Sequence, residues 1–197
     1  MLKEKRVFLL VSISLLSFFF VSCSSVSSVE KVTINTLLIS GQENLYNELY
    51  DQAVVNYSEI LTINNQHIEG LYGLARSYLL QNEFLKSAEV ILTLTAVDKE
   101  KSYTLKHTYA DLLFEGGKKT ESIEYLSSLY KSNPYDKKLA LSLIDKYLAG
   151  DAFDKAYQTA LELYTYHYSD KGVLKKIAEI ASLGNLVEKE SWLLLAQ

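Results

Sequence analysis

The chain has 197 residues, 48% of them hydrophobic, and a formal net charge of −4. That balance excludes the basic stripe that nucleic-acid binding requires, and a single cysteine excludes an internal disulfide framework. The length suits one elongated domain with a continuous core rather than two globular ones.

Residues 1–22 read as an address rather than as fold. Lys3, Lys5 and Arg6 form a basic start, and Val7 to Val21 form an apolar run broken only by serines. The run is too short and too close to the terminus for an ordinary stop-transfer span. Phe20-Val21-Ser22-Cys23 resembles the bacterial lipobox, although Phe20 stands where an aliphatic residue is usual. The resemblance implies cleavage before Cys23 and a lipid on its thiol, diacylglycerol with an amide-linked acyl chain such as palmitate. Several chains anchor stably where one would not, at about 0.8 kcal/mol per buried CH₂. An uncleaved signal-anchor with Cys23 as a bystander is the alternative, and either one exports the remainder of the chain. Residues 23–33 are then the lipidated cysteine and tether, with Ser24 to Ser28 flexible. Ser24 is not the acidic residue that retains many lipoproteins at the inner membrane, which favours the outer membrane, on its periplasmic face or surface. Without Lys3, Glu4, Lys5 and Arg6 the charge is about −6, so membrane contact runs through Cys23.

From residue 34 onward the chain repeats itself. Ala53, Ser87, Ser122, Ala156 and Glu190 are 34, 35, 34 and 34 positions apart. Tyr50, Phe84, Lys119, Phe153 and Val187 keep the same phase, as do Tyr57, Ile91, Leu126, Ala160 and Leu194. A period of this length marks stacked helical hairpins, none able to bury its apolar face alone. Breaks fall at Asn64-Asn65, Asn82-Glu83, Gly116-Gly117, Asn133-Pro134, Gly150-Asp151 and Gly184-Asn185. They predict about ten antiparallel helices, and no segment alternates as a strand does. Pro134, the one proline, falls between helices.

The pattern resembles the tetratricopeptide repeat (TPR). In 68–101 it is carried by Leu71, Leu74, Ala75 and Tyr78, then Asn82-Glu83-Phe84, Ser87 and Ile91; in 137–170 by Leu143, Tyr147, Gly150-Asp151-Ala152-Phe153, Ala156 and Ala160. The resemblance implies an all-α, TPR-like α-solenoid of four to five repeats at about 34–67, 68–101, 103–136, 137–170 and a degenerate 171–197. Only Gly41 keeps the family's first-helix glycine; Ala75, Ala110, Ile144 and Ala178 replace it. Ala53, Ser87 and Ala156 are expected at close helix contacts.

Signals for chemistry are few. His67, His107 and His167 have no second histidine or cysteine at ligand spacing, and His67 reads as a solvated turn residue. Gly116-Gly117 lacks the Lys-Ser/Thr of a phosphate loop, and no serine sits in a nucleophile elbow. The expectation is a non-enzyme with neither metal nor cofactor. The family lines its concave face with first helices. By position this implies a groove of Gln42, Tyr72, Arg76, His107, Asp111, Lys138, Leu141 and Asp145, in which Arg76 either stands free or pairs with Asp111. It lacks the lysine–asparagine–lysine–arginine clamp by which some relatives seize a terminal carboxylate. Tyr50, Tyr57, Tyr78, Tyr130, Tyr147 and Tyr164 fall at packing positions. Tyr166 and Tyr168 either contact a partner or pack under the next turn. In the apolar last helix, Trp192 and Leu193 are expected to form an exposed end patch that docks a partner or a second copy, the alternative being that the last unit rolls to bury Trp192. The sequence thus points to a lipid-anchored envelope adaptor that binds another envelope protein. A small-ligand module of a solute-transport system is the second reading.

Overall fold

The computed structural model describes residues 27–185 together with Trp192 and Leu195. Among these residues there are nine helices and no strand: α1 Ser28–Tyr46, α2 Tyr50–Ile63, α3 Ile68–Leu80, α4 Phe84–Val97, α5 Ser102–Glu115, α6 Lys119–Ser132, α7 Lys137–Leu148, α8 Phe153–Tyr166 and α9 Lys171–Leu183. Each packs mainly on its neighbours in sequence, the arrangement of an α-solenoid. Cys23 and Leu193, like most of the last helix, lie outside the described residues.

First and second helices of each hairpin start for different reasons. Side chains cap most first helices: Ser27 and Glu30 form a capping box on α1, the His67 imidazole accepts the Gly70 N–H, and Asp136 and Asp170 accept N–H groups of α7 and α9. His67 is therefore a helix cap, not simply a solvated turn residue. The box on α1 also moves the domain boundary. Residues 28–33, expected as tether, are its first turns.

Second helices have no side-chain cap; they emerge from a closed turn. Glu48, Asn82, Gly117, Asp151 and Asn185 all have φ between 50° and 86°. The N–H after the left-handed residue reaches back to the last turn of the first helix, from Leu49 to Asn44, Glu83 to Tyr78, Lys118 to Leu113 and Ala152 to Tyr147, at 2.8–2.9 Å. This is the Schellman closure, which satisfies the last carbonyls of one helix while aiming the next. Glu48 holds this conformation without the help of a glycine or asparagine.

Five residues beyond four of these turns lie Ala53, Ser87, Ser122 and Ala156, all at most 2% exposed. The Ser87 and Ser122 hydroxyls donate to the carbonyls of Ala75 and Ala110 on the preceding helix, at 2.9 and 2.6 Å. Small side chains let the two backbones approach; the hydroxyls use the proximity.

Volume is traded across the hairpin. Where the first helix has Gly41 the second has Tyr57, and a Cβ on Gly41 would lie 2.8 Å from that ring. The equivalent positions hold Ala75 with Ile91, Ala110 with Leu126, and Ile144 with Ala160, all buried. Ile144 and Ala160 reverse the usual order of large and small within one core cluster. Such complementarity is what interior packing density demands. Ala160→Ile is expected to overpack and cost about 1–3 kcal/mol, and Ile144→Ala to leave a cavity. The double variant should melt above either single one, as read by thermal denaturation; additive losses would mean that the two side chains do not share space.

Candidate functional site

Among the described residues, troughs open between α1 and α3 and between α5 and α7. The N-terminal trough, about 480 Å³, lies between α1 and α3 and is lined by Gln42, Tyr72 and Arg76 with Leu38, Leu45 and Glu69. The C-terminal trough, about 570 Å³, brings Asp111 of α5 together with Lys138, Leu141 and Asp145 of α7. Seven of the eight groove positions thus line one trough or the other. They do not form one continuous site.

His107 is the exception. It is 6% exposed, its ring lies 4.9 Å from that of Tyr103, and its Nε2 is buried without a hydrogen-bond partner. Burial, and then the Lys138 ammonium, hold its pKa below the ordinary value against the opposing pull of Asp136 and Asp111. It is a neutral packing residue rather than a groove contact.

Charge in the C-terminal half is neutralised internally. Lys146 of α7 pairs with Asp111 of α5 at 2.8 Å, Lys176 of α9 pairs with Asp145 of α7 at 2.9 Å, and Lys137 pairs with Asp170. Asp111 therefore pairs with Lys146, not with Arg76, because the next first helix supplies a closer cation. Lys138 lies over the Tyr103 ring, 5.7 Å from its centroid. The Tyr103 hydroxyl donates to Asp136 at 2.6 Å.

The N-terminal trough is built differently. Tyr57 comes from the second helix α2, yet its ring passes between Gly41 and Gly73, where added Cβ atoms would lie 2.8 and 2.2 Å from it. It is 2% exposed and still lines the trough. Position alone marked Tyr57 for packing; the signal for its second role is a tyrosine 16 residues from a glycine on either side. Tyr72 donates its hydroxyl to Asp98 at 3.0 Å. Burial, and then this carboxylate, push its phenol up to about 12.

Of the expected end patch, Leu193 lies outside the described residues and Trp192 does not stand exposed. Trp192 is half-buried, not exposed. Its indole N–H donates to the Tyr157 hydroxyl at 2.6 Å, its ring meets Tyr164 edge-on at 5.6 Å, and both aromatic contacts are with α8. For Trp192 this is the alternative expectation, burial of the ring rather than an exposed patch. Tyr166 and Tyr168 are exposed, at 49% and 71%, and Tyr166 meets Tyr135 instead, edge-on at 6.5 Å. Of the packing tyrosines, Tyr57 and Tyr130 are buried and Tyr50, Tyr78, Tyr147 and Tyr164 half-buried.

No protein-family model matches the sequence, and no curated protein matches it. Solved structures do. The MamA protein superposes with a TM-score of 0.59 at 16% identity, over 83% of this chain and 90% of its own. A MamA fragment from Desulfovibrio magneticus RS-1 gives 0.57 at 10% identity, over 87% and 95%. YrrB, a TPR protein with an unusual peptide-binding site, gives 0.54 at 11% identity, over 87% and 92%. The fold is that of a TPR solenoid. At these identities the likeness carries the fold alone. Among the described residues no group of three or more His, Cys, Asp or Glu is placed to hold a metal ion, and no helix is long and apolar enough to cross a membrane.

Within this solenoid His107 sets a pH dependence. Its folded pKa lies below the unfolded value of about 6.5, so the unfolded chain takes up the proton first and stability falls as pH drops below that value. Between about pH 7.5 and 5.5, where carboxylates stay ionised, the wild-type thermal midpoint should fall further than that of His107→Leu. Parallel curves would show that His107 titrates normally.

Proposed function

We propose that this TPR solenoid is a non-catalytic adaptor that binds a segment of another cell-envelope protein in the groove along its first helices. The observation that carries this reading is the pair of troughs between successive first helices, each lined by charged, polar and aliphatic side chains. Recognition there needs no bond to break. Solenoid repeats present such surfaces in series, and troughs that are open and charged suit a peptide better than an enclosed apolar solute. Site-specific photocrosslinkers replacing Gln42 or Leu141 should capture a reproducible protein partner from intact cells, whereas one replacing Glu124 on α6 should not. Equal capture from all three positions, or none from any, would overturn the groove reading. A solute that raises the melting point without any protein adduct would favour the small-ligand module instead.

The adaptor is held to a membrane through lipid on Cys23, the outer membrane where the organism has two. The order of basic start, apolar run and Ser22-Cys23 supports this. So does α1, which starts at Ser28 and exposes Val29, Val32 and Ile39 at 73%, 66% and 58%. Labelled palmitate should enter the wild-type protein and not Cys23→Ala, which should partition into the aqueous phase of a detergent separation. Labelling of the variant, or a fully aqueous wild type, would contradict the anchor.

A further inference from the structure

The N-terminal trough leaves an acid and a base without a salt bridge to lysine or to a carboxylate, whereas both acids of the C-terminal trough are paired with lysines. Arg76 is exposed and forms no ion pair among the described residues. Glu69 has a 73% exposed side chain, and its nearest basic atom is His67 Nδ1 at 3.5 Å. That nitrogen accepts the Gly70 N–H at 3.1 Å, so as an acceptor it donates no hydrogen bond to the carboxylate. Arg76 and Glu69 are seven residues apart on α3, hence about 10 Å along the axis and on the same side of the helix. Between the two helices the Tyr57 hydroxyl reaches the trough from a side chain that is 2% exposed, and it makes no hydrogen bond within the described chain. A hydroxyl that opens into the trough without a protein partner is free to bond a ligand oxygen.

We propose that this trough binds an extended peptide stretch bearing an acidic residue and, three residues away, a basic one, with the carboxylate on Arg76 and the Tyr57 hydroxyl and the cation on Glu69. In the extended polyproline II conformation, with three residues per turn and a rise of about 3.1 Å per residue, side chains three apart face the same side about 9 Å from one another, which matches the roughly 10 Å between the two charges. A free amino acid is too short, since its ammonium and carboxylate flank one carbon. The intervening side chains lie over Leu38 and Leu45. The proposal rests on the groove reading and supplies its ligand chemistry. The C-terminal trough, whose acids are satisfied by Lys146 and Lys176, has no such demand.

The probe is a blocked tetrapeptide, acetyl-Asp-Leu-Ala-Lys-amide, titrated against the 15N-labelled protein and followed by amide shifts. Asn-Leu-Ala-Lys and Asp-Leu-Ala-Gln versions and free glycine serve as controls. The Asp–Lys peptide should shift resonances around Gln42, Tyr57 and Arg76 and bind roughly fivefold or more tightly than either neutralised version, with glycine silent. Arg76→Gln should remove the preference for Asp over Asn, and Glu69→Gln the preference for Lys over Gln. Both positions are exposed, and circular dichroism checks that each variant is folded. Equal affinities for all three peptides, preferences that survive the substitutions, or shifts confined to the α5–α7 trough would overturn the proposal while leaving the groove reading intact. Absence of any shift at millimolar peptide would overturn it as well, and the crosslinking experiment would then judge the groove independently.

Discussion

Everything in this molecule depends on how one helix turns into the next within a hairpin. The left-handed residue at 48, 82, 117 and 151 ends the first helix. Its neighbour's N–H closes the turn, and the second helix then lies close enough that only a small side chain fits between backbones. Turn and contact are one constraint. A residue with φ near +60° is unfavourable for every type but glycine and, less so, asparagine and aspartate, and the chain repays it with a buried contact five positions later. Because that pairing recurs every 34 or 35 residues, each hairpin has the same shape and its first helices come to lie side by side.

Side-by-side first helices create the groove, and the residues between them decide what it can hold. Toward the C-terminus each acid finds a lysine on the next first helix, so Asp111–Lys146 and Asp145–Lys176 run as ties along the stack. Partly exposed pairs of this kind add little stability; their effect here is to satisfy the acids of the C-terminal trough. Toward the N-terminus the glycines at 41 and 73 admit the Tyr57 ring, and Arg76 and Glu69 keep their charges. The same solenoid thus has a self-satisfied half and a half that still presents charge to a ligand.

The fold was legible because stacking imposes a period, and a period survives in sequence even when its residues change. Ala53, Ser87, Ser122 and Ala156 announce it. The turn at Glu48 was not legible, since glutamate carries no turn signal and only the phase of Asn82, Gly117 and Asp151 identifies it. The groove was half legible. Position places seven residues beside a trough, but partners across repeats depend on side-chain reach, so the sequence does not mark Lys146 and Lys176 as partners and allows two readings of Arg76. His107 shares the phase of Tyr72 and Leu141 yet is buried, because Tyr103 one turn earlier covers it. The burial of Trp192 is not legible in the sequence for a related reason. Glu190 stands where the other units have a small residue, and nothing in that substitution names Tyr157 and Tyr164 as the partners of the ring.

A left-handed turn in every repeat sets the geometry from which the groove arises. That is tested most directly by nuclear magnetic resonance of the labelled protein, reading the intraresidue amide-to-Hα distance at Glu48, Asn82, Gly117 and Asp151. The three non-glycine residues should show the short distance of positive φ, and glycine at 117 the corresponding coupling pattern. Ordinary helical or extended values at Asn82 and Asp151 would contradict it, since the second helices would then leave the turns in another direction and the first helices would not align.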